Sequence, residues 1–115
     1  LKIIFLTFIV FISTLFVLPV RADSGFNGNY LYQAYRDYDR NIASRDSFAY
    51  MGYVRGVAAM MIAEKKMCVD DDFAFSQAFD AVGNYLKQHP KSRSEIPVLA
   101  VVISLETEFP CSKSS

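Results

Sequence analysis

The side chains that could do chemistry are few and scattered. There is one histidine, His89, and it stands directly before Pro90. A residue before proline is pushed out of the helical region. His89 therefore reads as a residue capping a helix C-terminus, not as a general base. The two cysteines, Cys68 and Cys111, do not form a Cys-x-x-Cys pair. With a lone histidine they fall short of a metal's ligand set. Asp70, Asp71 and Asp72 form an acidic triplet. They lack the alternating ligands, glycine and terminal glutamate of a calcium loop. Glu106 and Glu108 stand two apart on a predicted helix, so they point in different directions and cannot act as a carboxylate pair. Arg55 and Asp80 interrupt otherwise apolar helices. A buried ion pair between them is one option; exposed placement is the expectation. Neither a nucleophile elbow, a zinc-protease motif nor a phosphate loop occurs. This inventory predicts no catalytic, metal or cofactor site and leads to a binding module.

Four helices must position whatever does the binding. The organising stretch is Ser47 to Ala63, with Ser44 or Asp46 as its cap. Tyr50, Val54, Val57 and Met61 recur at helical spacing and predict one buried stripe. Gly52, Gly56, Ala59 and Ala63 lie on another face. Two glycines inside a helix cost about 1 kcal/mol each against alanine. The usual offset is close approach of a second backbone, so this helix is expected at the centre of the bundle with neighbours on two sides.

A first helix is predicted from Tyr30 to about Arg40, with Asn29 as its cap and Leu31, Ala34, Tyr35 and Tyr38 facing inward. A third runs from Phe75 to Gln88, burying Phe75, Ala78, Phe79, Val82, Tyr85 and Leu86. Lys91 to Glu95 form a charged exposed turn. Ser94 then caps a fourth helix with Pro97 in its first turn, and Val98, Val101, Val102, Leu105 and Phe109 on its inner side. The fold class is thus all-α, a small four-helix bundle.

Residues 1–22 read as a signal peptide. Lys2 supplies the charge, Ile3 to Val20 carry none, and Val20, Arg21 and Ala22 offer a cleavage site. A retained anchor is the rival, disfavoured by Pro19 and by the cleavage-like site that follows. Cutting after Ala22 leaves one domain, 23–115. Without Lys2 and Arg21, ten of the twelve basic residues face twelve acidic ones, a net charge of −2. Such a balance gives no reason to expect nucleic acid or an anionic membrane as partner. So small a domain has a marginal core. Export places the cysteines in an oxidising compartment, where a Cys68–Cys111 disulfide is the expectation. It would tie the end of the fourth helix to the loop before the third. The chain-entropy model gives about 4 kcal/mol for so long a loop.

Several segments together resemble the Rap/Tai family of type VI secretion immunity proteins. They are the Gly28, Asn29, Leu31 opening, then Gly52, Tyr53, Val54, Gly56 and Val57 in the central helix, then Cys68. Gln77, Asp80, Tyr85, Leu86, Pro90, Arg93 and the closing Phe109, Pro110 and Cys111 follow. Many relatives carry a second cysteine pair at the places held here by Tyr35 and Tyr50. Loss of both together suggests that the two tyrosines face each other across the first and second helices.

The resemblance implies a periplasmic homodimer that binds and blocks a secreted peptidoglycan amidase with a papain-like Cys–His site. Inhibition then needs shape, not chemistry. The first surface expected to do it is the turn His89, Lys91, Ser92, Arg93, Ser94 and Glu95, held at both ends by helices. Arg93 falls on a family position and so has a structural alternative. The second is Asp70, Asp71 and Asp72, whose charge could steer a basic toxin. The competing class is a small periplasmic chaperone of the acid-stress type, also helical with one disulfide, which would loosen at low pH.

Overall fold

The computed structural model describes residues 26–112. The signal peptide assigned to residues 1–22 lies outside them. Among the described residues there are four α-helices and no strand. They are α1 (Gly28–Asp39), α2 (Arg45–Ala63), α3 (Phe75–Gln88) and α4 (Pro97–Glu108), with a short 3₁₀ helix at Pro90–Ser94 between the last two. None is long and apolar enough to cross a membrane.

Local signals set most boundaries. Ser44 caps α2: its Oγ accepts from the Ser47 N–H at 3.0 Å, and Ser47 Oγ accepts from the Ser44 N–H at 3.1 Å. This reciprocal pair satisfies two donors that a helix start would leave open. The α3 bounds are those predicted. The start of α1 differs. Asn27, not Asn29, is the cap, and its Oδ1 accepts from the Tyr30 N–H at 3.1 Å. Nor does Ser94 cap α4. Its hydroxyl donates to the Lys91 carbonyl at 2.8 Å, closing the 3₁₀ turn, and α4 begins behind Ile96 with Pro97 first.

The core is one cluster. Leu31, Ala34 and Tyr35 enter from α1, and Tyr50, Val54, Ala58 and Met61 from α2. Ala78, Phe79, Val82 and Leu86 come from α3, and Ala100, Val101 and Leu105 from α4. The inner side of α4 is rotated from the predicted one, since Val98 is exposed and Ala100 and Ser104 face inward. Ser104 tolerates burial because its Oγ donates to the Val101 carbonyl at 2.9 Å.

An aromatic knot holds the first three helices. Tyr35 and Tyr50 do face each other, ring centres 5.6 Å apart, and Tyr38 and Phe79 close around Tyr50 at 5.7 and 6.3 Å. Gly83 makes room for this knot, since a Cβ there would overlap the Tyr35 ring. Tyr50 is 1% exposed, and its hydroxyl donates to the Phe79 carbonyl at 2.5 Å. A buried phenol needs such a partner.

One expectation fails. Gly52, Gly56, Ala59 and Ala63 are exposed, and a Cβ on either glycine would meet nothing within 4 Å. Helices α1, α3 and α4 all pack on the opposite side of α2. No backbone of this chain among the described residues approaches the small-residue face.

The disulfide joins Cys68 to Cys111, their Cα atoms 4.8 Å apart. The Cys68 N–H also donates to the Phe109 carbonyl at 3.1 Å, and Phe73 meets Phe109 edge-on at 5.5 Å. Sulfur, hydrogen bond and ring thus fasten the α2–α3 connection to the end of α4. Reduction, or Cys68→Ser with Cys111→Ser, is expected to cost about 2–5 kcal/mol, read as a lower urea midpoint.

Burial pushes the Tyr50 phenol well above its usual pKa. A group whose folded pKa is raised keeps its contribution below the unfolded value, near 10, and loses it as pH rises beyond. The melting temperature is therefore expected to fall above about pH 10. Tyr50→Phe should blunt that fall while lowering stability by about 1 kcal/mol at neutral pH.

Candidate functional site

The candidate site is the turn after α3, and its shape is set by one guanidinium. Arg93 Nε donates to the Leu86 carbonyl at 2.8 Å, and Nη2 donates to the Lys87 carbonyl at 3.0 Å. Helix C-termini leave such carbonyls without partners. The same guanidinium lies over the Tyr32 ring of α1, 3.8 Å from its centre, a cation–π contact. Arg93 thus binds α3, α1 and the turn together. Its role is to position the turn, which is the structural alternative its family position raised.

The backbone is held as tightly. Gly28 packs against the turn so closely that a Cβ would stand 2.6 Å from Arg93 Cα and 2.7 Å from the Ser92 carbonyl oxygen. Its N–H donates to the Glu95 carbonyl at 3.3 Å. Only a residue without a side chain permits this approach. Gly28 opens α1 next to the turn, so the shift of that helix start from Tyr30 has a tertiary cause.

His89 caps α3 as expected. Its N–H and its Nδ1 both lie 2.9 Å from the Tyr85 carbonyl, and its ring stacks on Tyr85 at 4.1 Å. Ser92 Oγ lies 3.4 Å from the Tyr85 hydroxyl. Lys91, Ser94 and Glu95 are exposed, while Ser92 and Arg93 are half-buried. The six residues therefore divide. Arg93, Ser92, His89 and the Ser94 hydroxyl shape the turn, and Lys91, Ser94 and Glu95 are exposed on its surface.

The turn also borders a feature that the sequence reading missed. An open groove of ≈ 770 Å³ runs between α3 and α4, lined by Asp80, Asn84, Gln88 and His89 on one wall and Thr107 and Phe109 on the other. Its signal was present as Gln77, Asp80, Asn84 and Gln88, polar residues spaced three, four and four apart along one helix face. His89 belongs to both turn and groove, so the two make one continuous surface.

Asp70, Asp71 and Asp72 are exposed in the connection beside the disulfide, far from the turn along the length of α3. At 1.5 Å per residue its fourteen residues span about 21 Å. The two candidate surfaces are therefore not brought together. Arg55 and Asp80 do not pair. Arg55 lies over the Phe75 ring at 4.9 Å, and Asp80 accepts from the Tyr38 hydroxyl at 3.3 Å; both are exposed.

Chemically, the turn and groove offer hydroxyls, amides, carboxylates and one ammonium. Such a surface can make hydrogen bonds and ion pairs across an interface. Among the described residues, no three His, Cys, Asp or Glu side chains converge as a metal site.

Comparison with known proteins adds one result. No curated protein and no solved structure matches the chain. The sequence profile of a family described as Rap1a immunity proteins matches residues 27–111, from the Asn27 cap to the Cys111 bridge. That match covers most of the chain and every element described above, so the chain belongs to the Rap1a immunity protein family.

Proposed function

We propose that this protein works in the periplasm as the immunity partner of a type VI secretion effector, a peptidoglycan amidase with a papain-like Cys–His site. It protects its own cell by binding that enzyme, as a homodimer that engages two effector molecules. Family membership supports the immunity reading. The amidase, the compartment and the dimer are our own extension of it, consistent with the resemblance drawn from the sequence.

The observation that carries the binding mode is the Arg93 clamp. A turn fixed by two hydrogen bonds, a ring stack and a glycine contact loses little freedom on binding. Preorganisation of that kind removes much of the cost of forming an interface. Lys91, Ser94 and Glu95 are the contact residues in this reading, with the Asn84 and Gln88 side of the groove beside them. Asp70, Asp71 and Asp72 form a second, steering surface for a basic effector.

Two measurements test it. With the cognate amidase in a cell-wall digestion assay, Lys91→Glu with Glu95→Lys is expected to weaken inhibition by about tenfold or more without changing the melting temperature. Full inhibition by that variant would overturn the turn as the contact. Arg93→Ala, by contrast, should lower both inhibition and thermal stability. Changing Asp70, Asp71 and Asp72 to Asn should slow association several-fold at low salt and leave dissociation unchanged. Weak binding to many unfolded proteins, with no single saturable partner, would favour a chaperone instead.

A further inference from the structure

We infer that the Cys68–Cys111 bridge is a reversible redox element: a dithiol opens it by attack at Cys68, and the bundle stays folded with both thiols placed to reclose. Nothing in this depends on the identity of the effector. Cys68 is exposed, whereas Cys111 is half-buried. A thiolate from solution reaches the exposed sulfur more easily, and access helps to decide which sulfur of a disulfide is attacked.

Both cysteines are also held by contacts that do not use sulfur. Met67, next to Cys68, is 1% exposed and belongs to the core. Just before it, α2 ends in a paired closure. The Lys65 N–H donates to the Ile62 carbonyl at 3.1 Å, and the Lys66 N–H donates to the Met61 carbonyl at 2.8 Å. Helices often end this way, with a left-handed residue at the hinge that is usually glycine. Here that residue is Lys65, at φ 58°. On the other side, the Cys68 N–H donates to the Phe109 carbonyl at 3.1 Å, and the Phe73 ring meets Phe109 edge-on. These contacts keep the α2–α3 connection beside the end of α4 when the bridge is open.

The left-handed turn at Lys65 also serves the open state. Its carbonyl oxygen lies 3.2 Å from Cys111 Sγ. In the bridged form that sulfur carries no hydrogen. Once reduced, Cys111 gains an S–H, a weak donor, with an acceptor already in reach. The exchange runs in two steps. One thiolate of the dithiol attacks Cys68 Sγ, the bond to Cys111 breaks, and Cys111 Sγ leaves with the electron pair and takes up a proton. The second thiolate of the dithiol attacks its own partner sulfur in the mixed disulfide, so that Cys68 leaves and is protonated in turn. The protein gains two electrons and the two protons the dithiol loses, and the dithiol becomes an internal disulfide. Glu108 and Phe109 line the end of the α3–α4 groove nearest the bridge, so reduction loosens that end. The turn at the other end of α3, held by Arg93, stays fixed.

Treating the purified bridged protein with glutathione and then iodoacetamide traps the first exchange, and dithiothreitol completes the reduction. Peptide mass spectrometry is expected to find glutathione on Cys68 and the alkyl group on Cys111, in excess over the reverse by on the order of tenfold. The fully reduced protein should keep its helical circular dichroism at room temperature. Its amide exchange should rise at Cys68 and near Cys111 and stay unchanged at Ser92 and Glu95. Oxidised dithiothreitol should restore the original urea midpoint. Cys68→Ala with Cys111→Ser should have a higher urea midpoint than Cys68→Ala with Cys111→Ala, because the serine hydroxyl donates to the Lys65 carbonyl. Loss of helix on reduction, or failure to reclose, would overturn the inference and leave the bridge a fixed staple. Glutathione mainly on Cys111 would overturn the direction of attack, and equal midpoints would overturn the Lys65 acceptor.

Discussion

The open carbonyls at the end of α3 are the constraint on which the candidate surface depends. A helix that stops at the bundle's edge leaves its last acceptors without donors. Here the chain turns back through a 3₁₀ helix and sends Arg93 to supply them, at 2.8 and 3.0 Å. The same guanidinium then has a free planar face, and Tyr32 of α1 lies against it. A flexible lysine could not do both, since only a guanidinium offers a rigid fork of donors and a flat surface together. Gly28 completes the arrangement by letting the α1 backbone rest on the turn.

Each end of the α3–α4 hairpin is therefore tied by a different chemistry. At the turn the ties are polar and aromatic. At the far end they are the Cys68–Cys111 bridge, the Phe109 carbonyl and the Phe73 ring. Between them the buried Tyr50 joins α2 to α3 through one hydrogen bond in a knot of rings. A domain of this size has little core to rely on. Placing covalent and aromatic ties where helices end lets short helices present a fixed outer surface.

Much of this was legible in the sequence, and the failures have physical causes. The bounds of α3 are strongly marked, because an acidic loop precedes it and His89–Pro90 stops it. The facing of Tyr35 and Tyr50 followed from family likeness, and the rings meet at 5.6 Å. Asn27 and Asn29 are equal as caps by local rules; contact of Gly28 with the turn decides between them. Ser94 looked like a cap for α4, yet its hydroxyl finds the Lys91 carbonyl first. The role of Arg93 depends on Tyr32, sixty-one positions away in the chain, which no local pattern reveals. The glycines of α2 suggested close approach of a second backbone, yet none is found among the described residues, because the other helices all pack on the opposite, larger-residue side of α2.

In the function proposed for this chain, a turn already fixed in the free protein meets the effector without rearrangement. Amide hydrogen exchange of the protein alone and bound to the proposed amidase effector is the decisive test. Slow exchange is expected at the turn's bonded amides, Ser92 and Glu95, in the free protein, with added protection on binding confined to residues 89–95 and the groove walls. Rapid exchange throughout the turn in the free protein, or protection gained only elsewhere, would contradict it.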